Sequence, residues 1–395
     1  MKEQLLNLYK KTKINYKEPV KKGNKIFVNF NRKARLDIIG HQKESYEIKF
    51  IDKKTNSVVY NSKITNNMWA GTSADYFIDW KIEVNSENNA NPITIDYNAK
   101  GKKVRIINQS PSLGDCIAWT PIVSEFQKRH DCVVDYFTPY LDLFTDQYKN
   151  INFLPYSEHN NGEYYATYDL GYYFNEGEEK TPIDARKRNL QQTACDILGL
   201  QYKEIKPSLY VEKNSRPISE KYVCITTSST AGCKHWQNEK GWQKVVDYIN
   251  NLGFKVVVIQ KEPLDYMDLK GLKNVVHPTT KSLQEAVNWI NHSEFYIGLG
   301  SGISWLAWAL GKRVILISGF SKPFAEFNTP HRIINTNVCN GCWNDTSVRF
   351  DANNWNWCPR NKDFICSKEI TFEMVKPHID YCIKTNGQQK RILKI

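Results

Sequence analysis

The chain of 395 residues contains no stretch of about 18 uncharged apolar residues, and no apolar segment follows Met1-Lys2-Glu3. A membrane-spanning helix needs such a stretch, and a secretory leader needs an apolar segment near the N-terminus. Internal repeats and low-complexity tracts are also absent from the sequence. The sequence therefore predicts a cytoplasmic protein without a transmembrane segment.

Dense clusters of basic residues are missing too, although the formal net charge is +12 at pH 7. Such a charge is compatible with nucleic-acid binding, with docking on an anionic membrane, or with a polyanionic substrate. The clusters that occur, such as Lys21-Lys22 and Arg186-Lys187-Arg188, are short. A solvated basic surface is the simplest interpretation, followed by a sugar-nucleotide or membrane-bound partner. We expect no nucleic-acid partner.

The length indicates two or three domains, since a typical domain takes about 150 residues. From Lys25 to Tyr97, short alternating segments are separated by polar turns, which predicts a small antiparallel β sandwich or barrel. The asparagine-rich segment Asn85 to Pro92 is typical of a linker or a long turn. We therefore predict an N-terminal β-rich domain over residues 1–98.

After residue 98 the pattern changes to strand, loop and helix. Val104 to Ile107 is an apolar strand, Asp115 to Arg129 has helical periodicity, and Cys132 to Phe137 is a second strand. This order is typical of a βαβ unit with a parallel sheet. A second run of such elements begins near Tyr222. The sequence thus predicts an α/β protein with two Rossmann-like domains, over residues 99–215 and 216–395, and a cleft between them.

Four cysteines near the C-terminus have the spacing Cys-x2-Cys-x15-Cys-x7-Cys: Cys339, Cys342, Cys358 and Cys366. This spacing suits two thiolate pairs on one tetrahedral metal ion, and four thiolates leave no open position for catalysis. We predict one structural metal site per chain, in an insertion over residues 337–368. Zinc and iron both accept four sulfur ligands, so the spacing does not choose between them. The alternatives are two disulfides, which a reducing cytoplasm disfavours, or four ordinary buried thiols.

Two loops have the composition of phosphate-binding sites, and the first is the turn Gly298 to Trp305. It lies between a strand and a helix, where free backbone N–H groups and the helix dipole favour an anion. Gly300 and Gly302 permit close backbone approach, and Ser301 and Ser304 can add hydroxyl donors. The simpler interpretation is a glycine-rich turn without a ligand.

The second loop, Thr226 to Lys234, leaves another strand end and finishes in a lysine. The hydroxyls of Thr227, Ser229 and Thr230, together with the ammonium group of Lys234, suit a diphosphate. A plain Ser/Thr turn is the alternative.

Asp115 follows the Val104 strand within Ser112-Leu113-Gly114-Asp115, at a strand end where α/β folds place their sites. It is either the N-cap of the next helix or a carboxylate that faces the cleft. Its position opposite two phosphate loops favours a general base.

These motifs together resemble the bacterial autotransporter heptosyltransferases, GT-B enzymes related to the lipopolysaccharide heptosyltransferases. The resemblance rests on Ser112-Leu113-Gly114-Asp115 with Ile117-Ala118 and Pro121, on Ser229-Thr230-Ala231-x-Cys233-Lys234 with Trp242, on Gly300-Ser301-Gly302-Ile303-Ser304-Trp305-Leu306-Ala307-Trp308-Ala309-Leu310-Gly311, and on the four-cysteine insertion. It implies a GT-B fold in which residues 99–215 form the acceptor-side domain and residues 216–395 bind the nucleotide sugar, with the β-rich domain in front.

The resemblance further implies an ADP-heptose donor, serine hydroxyls of an autotransporter adhesin as acceptors, iron in the cysteine cage, and a homo-oligomer, a dodecamer in the family. Carried over to this sequence, Asp115 would be the general base and Lys234 would hold the donor diphosphate. The turn from Gly300 to Ser304 would present backbone N–H groups to the same diphosphate. An inverting transfer needs only these two functions, a base and stabilisation of the departing ADP.

The sequence departs from the lipopolysaccharide enzymes at two positions. Those enzymes have a similar glycine-rich turn, but an aspartate and a histidine stand where this chain has Leu299 and Trp305. This difference disfavours transfer to a lipid-linked or lipopolysaccharide core acceptor, which remains the alternative function. A nucleic-acid-binding zinc ribbon is the remote alternative, because a basic chain with a cysteine cage can have that role.

Overall fold

The computed structural model describes residues 23–158, 162–174, 179–265, 271–348 and 356–392. These residues form two compact units. The smaller unit holds residues 23–74 and 78–98, and the larger unit holds residues 75–77 and the described residues from 99 onward.

The smaller unit consists of antiparallel β structure. Its strands are β1 (Asn24–Asn31), β2 (Arg35–Gly40), β3 (Ser45–Asp52), β4 (Ser57–Thr65), β5 (Met68–Gly71), β6 (Trp80–Ser86) and β7 (Asn89–Asp96). Strands β1, β2 and β5 are neighbours in that order, and β4, β3, β6 and β7 form a four-stranded sheet in that order.

Alternating apolar residues build the core of this unit. Ile48 on β3 pairs with Val84 on β6, Phe50 pairs with Ile82, and all four side chains are buried. The pairing of β3 with β4 shifts in register after Phe50, and Ile51 is therefore buried next to it. The antiparallel β structure predicted for this part of the chain is present.

The prediction of a linker or long turn at Asn85 to Pro92 is wrong. Strand β6 continues to Ser86 and β7 begins at Asn89, so a tight hairpin joins them. Pro92 is tolerated within β7 because β7 lies at the edge of its sheet, where a missing N–H need not break the ladder.

The larger unit contains two parallel sheets. Their strands are β8 (Lys103–Asn108), β9 (Val133–Phe137), β10 (Ile151–Leu154), β11 (Ala166–Leu170), β12 (Tyr222–Ile225), β13 (Lys255–Val258), β14 (Tyr296–Leu299), β15 (Val314–Ile317) and β16 (Arg332–Ile333). The strand order is β10-β9-β8-β11 in the first sheet and β13-β12-β14-β15-β16 in the second. Every residue of β12, β14 and β15 is buried, as expected for parallel strands covered on both faces.

Helices connect and cover these strands. They are α1 (Leu113–His130), α2 (Leu190–Ile197), α3 (Gly241–Asn251), α4 (Leu283–His292), α5 (Gly302–Ala309), α6 (Ile365–Lys368) and α7 (Phe372–Ile392). Buried Val375, Ile379 and Cys382 recur on one face of α7 and pack into the core around the second sheet. In the described part of the chain, no helix combines the length and the apolar character that crossing a membrane requires.

Candidate active site

The carboxyl ends of two neighbouring strands place the groups around Asp115. Strands β8 and β11 run parallel, with Asn108 opposite Leu170, and the chain continues from them to Ser110 and Tyr172. The hydroxyl of Tyr172 donates to Oδ1 of Asp115 over 2.9 Å, and the hydroxyl of Ser110 donates to Oδ2. Both carboxylate oxygens are therefore held by residues that closely follow strands of the first sheet.

Asp115 is not the N-cap of α1. Ser112 occupies that position, with extended backbone angles and no capping hydrogen bond from its side chain. Asp115 lies in the first turn of the helix, and only 5% of its surface is exposed. The structure therefore leaves its carboxylate available for a role other than capping.

The environment of Asp115 alters its acidity. Burial raises the pKa of the carboxyl above its usual range, while the hydroxyls of Ser110 and Tyr172 and the charge of Lys234 act in the opposite direction. A carboxylate with a raised pKa is a stronger base, and it is better matched to proton transfer near neutral pH.

A buried polar cluster supports the loop that carries Ser110. The Nδ2 group of Asn108 donates to Sγ of Cys116 over 3.1 Å and to Oγ1 of Thr138 over 3.2 Å. The Oδ1 atom of Asn108 accepts from the backbone N–H of Ser110 over 2.8 Å. Burial raises the pKa of the Cys116 thiol to about 12, so it stays neutral beside Asp115 and acts as a packing group.

Lys234 lies in the same site, although it belongs to the second half of the unit. It ends the short 3-10 turn Gly232–Lys234 that follows β12, and its charge lowers the pKa of Asp115. Among the residues that the structure describes, its ammonium group has no hydrogen bond or ion pair, which leaves it available to an anion. It lines a small pocket with Gly300, Glu326 and the residues of the segment 317–321.

The glycine-rich turn lines this pocket through backbone that has little space for side chains. A Cβ atom on Gly300 would lie 2.7 Å from Oε1 of Glu326, and one on Gly302 would lie 2.9 Å from the backbone nitrogen of Gly114. Ser301 is at the N-cap position of α5, and its side chain makes no capping hydrogen bond. The first turn of α5 therefore meets the first turn of α1 nearly backbone to backbone.

The hydroxyls predicted to bind diphosphate are placed differently from one another. Thr227 donates to Oε1 of Gln260 from both its N–H and its hydroxyl, and Ser304 donates its hydroxyl to the carbonyl oxygen of Leu299. Any contact of these two hydroxyls with diphosphate would require those bonds to break. Ser229 is buried, with its N–H 3.1 Å from Nε2 of His235, whereas Thr230 is exposed.

Glu326 is a pocket residue without a signal in the sequence. Its Oε1 accepts from the hydroxyl of Ser321 over 2.7 Å, and its Oε2 pairs with Arg332 over 2.9 Å. The guanidinium group compensates the charge of this carboxylate, which would otherwise oppose an anion in the pocket.

The two residues that differ from the lipopolysaccharide enzymes lie in the core. Leu299 is fully buried, and Trp305 is 4% exposed with its ring edge-to-face against Phe327 at 5.0 Å. Neither residue lines the pocket of Lys234.

The four predicted metal ligands lie in one region of the fold. Cys342 and Cys366 are buried, and Cys339 and Cys358 are partly exposed. The pKa of Cys366 is raised to about 12, mainly by burial and in addition by the charges of the other three thiols. For Cys358 burial also raises the pKa, but backbone N–H donors of Phe364, Lys362 and Arg360 outweigh this effect and lower it.

Within residues 23–158, 162–174, 179–265, 271–348 and 356–392, no three His, Cys, Asp or Glu side chains stand close enough to hold a metal ion. The structure therefore does not confirm the predicted metal-binding insertion. The four thiols still suit a metal chemically. The charges of the other three affect the pKa of Cys366, and backbone donors stabilise Cys358 as a thiolate.

Comparison with known proteins identifies the family. The sequence profile of glycosyltransferase family 9 (heptosyltransferase) matches residues 161–349. The autotransporter heptosyltransferase BAHTCr of Citrobacter rodentium is 35% identical over 365 residues, which cover 88% of this chain and 86% of the relative. The chain belongs to the autotransporter heptosyltransferase family.

A solved autotransporter heptosyltransferase has the same fold. The crystal structure of dodecameric iron-containing TibC from enterotoxigenic Escherichia coli, in complex with ADP-D-beta-D-heptose, is 32% identical in sequence, with a TM-score of 0.83. The match covers 93% of this chain and 98% of TibC, and it confirms the predicted α/β glycosyltransferase fold.

The family also has a member named as inactive. The inactive autotransporter heptosyltransferase BimC of Burkholderia thailandensis is 29% identical over 342 residues, covering 84% of this chain and 80% of BimC. Activity in an autotransporter heptosyltransferase therefore has to be argued from the residues of its site.

Proposed function

We propose that this protein transfers heptose from ADP-heptose to serine hydroxyls of an autotransporter adhesin, with Asp115 as the general base. The observation that carries the proposal is the electrostatic influence of Lys234 on the buried Asp115, which brings a carboxylate and an unpaired ammonium group into one site. The buried carboxylate of raised pKa, in the first turn of α1, interacts electrostatically with Lys234, whose side chain lines a pocket with Gly300 of the glycine-rich turn. An inverting transfer needs a base for the acceptor hydroxyl and stabilisation of the charge on the departing ADP, and these two groups can supply both functions.

In the proposed reaction, the Asp115 carboxylate accepts the proton of the serine hydroxyl while the serine oxygen forms a bond to the anomeric carbon. The bond between that carbon and the ADP oxygen breaks, and its electron pair leaves with ADP. Lys234 and the backbone N–H groups of the turn from Gly300 to Ser304 stabilise the negative charge that grows on the diphosphate. Ser301, Gly302, Thr227, Ser229 and Thr230 complete the proposed donor site.

We also propose that Cys339, Cys342, Cys358 and Cys366 hold one structural iron per chain. The bound metal would supply folding energy to an insertion that is too small for a core of its own. The family resemblance favours iron over zinc, and it favours a homo-oligomer as in TibC. The cytoplasm remains the proposed location of the protein. Light scattering on the purified protein will give the number of subunits.

The proposed activity is tested by incubating the purified protein with ADP-heptose and an autotransporter passenger domain and measuring the intact mass of the passenger. We expect heptose-sized additions, located on serine by peptide mapping. Asp115→Asn is expected to lower turnover by about two to four orders of magnitude while ADP affinity measured by calorimetry is retained.

Asp135→Asn is the matched control. Asp135 is also a buried aspartate, on β9, but it pairs with Lys103 over 2.8 Å and accepts from Tyr164 over 2.8 Å, and it does not line the pocket of Lys234. Folded Asp135→Asn protein should keep its turnover. Near-normal turnover of folded Asp115→Asn would reject the base. If the passenger stays unmodified while a lipid-linked core oligosaccharide gains a sugar, the acceptor is the lipid-linked glycan and not the adhesin.

A further inference from the structure

The cysteine segment contacts the residue that holds Asp115. Trp343 directly follows Cys342, and its indole ring meets the ring of Tyr172 edge-on, with 5.5 Å between the ring centroids and an interplanar angle of 90°. On its other side, Tyr172 packs against Trp119 at 5.8 Å. The ring whose hydroxyl donates to Asp115 is therefore flanked by two tryptophans.

The two flanking tryptophans are themselves fixed. Trp119 is fully buried in α1, and its Nε1 donates to the carbonyl oxygen of Leu190 over 2.7 Å. The backbone N–H of Trp343 donates to the carbonyl oxygen of Phe320, a residue of the pocket wall, over 3.0 Å. Tyr172 itself is 36% exposed and lies just past the end of β11. The sheet alone therefore does not fix the rotamer of its side chain, and packing against the two tryptophans restricts it.

The residue after Trp343 ties this segment to both halves of the larger unit. Asn344 donates from Nδ2 to the carbonyl oxygen of Arg186 over 2.7 Å, and its Oδ1 accepts from the backbone N–H of Lys322 over 2.7 Å. Arg186 belongs to the first half and Lys322 to the second. The segment is thus anchored where the two halves meet.

We propose that Tyr172 and Trp343 are positioning residues: Trp343 fixes the ring of Tyr172, and Tyr172 orients the Asp115 carboxylate toward the acceptor hydroxyl. The inference rests on the proposed role of Asp115 as the base. An ionised carboxylate has about four acceptor positions, so the bonds from Ser110 and Tyr172 leave room for the acceptor. Fixing the carboxylate matters because proton transfer requires the base and the hydroxyl at hydrogen-bond distance.

The groups around Asp115 set the sign of the expected pH effect. Ser110 and Tyr172 donate to the carboxylate, Lys234 attracts it, and Cys116 next to it on α1 is a neutral thiol. Loss of the Tyr172 hydroxyl removes a donor that favours the charged form, so Asp115 should then need a higher pH to ionise. The acidic limb of the rate profile should move to higher pH.

The experiment measures kcat and KM for ADP-heptose against pH in the full-length protein, for Tyr172→Phe, Trp343→Leu and Trp343→Phe. Tyr172→Phe is expected to lower kcat by about 10- to 100-fold, to leave KM for the donor nearly unchanged, and to shift the acidic limb upward. Trp343→Leu should shift the limb in the same direction by less, and Trp343→Phe should restore most of the native profile because it keeps an aromatic ring.

Tyr164→Phe is the matched control. Tyr164 also donates to an aspartate, Asp135, over 2.8 Å, but it precedes β11 where Tyr172 follows it. Its removal should leave the acidic limb in place. The inference is overturned if the acidic limb of the pH–rate profile of Tyr172→Phe lies at the same pH as in the native protein. It is also overturned if both Trp343 variants keep native kcat and unchanged metal content. Activity retained in Asp115→Asn would instead reject the base, which separates the two failures.

Discussion

The hydroxyl of Ser304 donates to the carbonyl oxygen of Leu299 over 2.5 Å, and Ser304 is fully buried. This bond joins the end of β14 to the first turn of α5 and closes the glycine-rich turn on itself. Ser301, three residues earlier, makes no such capping bond. Two serines of one motif therefore have different environments.

Ser304→Ala is expected to lower the free energy of unfolding by about 1–3 kcal/mol, because the buried carbonyl oxygen of Leu299 loses its donor. ADP affinity should change little, since the hydroxyl points into the fold. Ser301→Ala should have the smaller effect on stability. Thermal unfolding and calorimetry with ADP will check this, and a large loss of ADP affinity in folded Ser304→Ala would show that the hydroxyl turns toward the donor.

Lys234→Ala is expected to weaken ADP binding by about 10- to 100-fold and to slow transfer as well, because the ammonium group neutralises charge on the leaving diphosphate. Lys240→Ala is the control, since Lys240 is an exposed lysine six positions further along the chain. Calorimetry with ADP measures the effect. Equal ADP affinity in native protein and Lys234→Ala would place the lysine outside the donor site.

Asp115→Asn is expected to be at least as stable as the native protein at pH 7. Burial raises the pKa of Asp115 in the folded state, so the contribution of this group to stability is greatest below the usual aspartate pKa of about 3.9 and is lost as pH rises through the raised pKa. Asparagine avoids the cost of a buried charge. Thermal unfolding at pH 4 and pH 7 should show a gain for the variant at pH 7 only, whereas a lower stability at pH 7 would contradict the raised pKa.

Cys339→Ser and Cys358→Ser are expected to lose the metal and to lower stability or assembly, because the free energy of metal binding contributes to the folding of this segment. Cys132→Ser is the control, since Cys132 is a buried cysteine outside the segment. Metal analysis and absorption spectra are the measurements, with a brown-red colour expected for iron and none for zinc. Well-folded native protein without metal would rule the site out.

The sequence was sufficient for features that local patterns encode. Parallel strands, the glycine-rich turn and Asp115 follow from periodicity and from short motifs, and the structure has strands and helices at these places. The hairpin at Asn85 to Pro92 was missed, because asparagine-rich composition is shared by linkers and tight turns.

The partners of Asp115 could not have been predicted in this way. Tyr172 lies 57 positions after Asp115, and nothing in its neighbourhood marks it as a hydrogen-bond donor to a catalytic group. The bond from the hydroxyl of Thr227 to Gln260, 33 positions away, could not have been predicted from the composition of the loop either. Such pairings depend on which strands become neighbours, and that is a property of the whole sheet.

The contact between Gly114 and Gly302 also bears on motion in the cleft. Because the backbones of the two helix N-termini meet directly at these glycines, beside the side chains of Leu113 and Trp305, we expect this contact to be the fulcrum when the two halves of the larger unit move against each other. Atoms close to a fulcrum move least, and Asp115 and the Gly300 turn both lie next to it. Opening the cleft to exchange donor and product would then displace its outer rim most, and the relative positions of Asp115 and the Gly300 turn would change little.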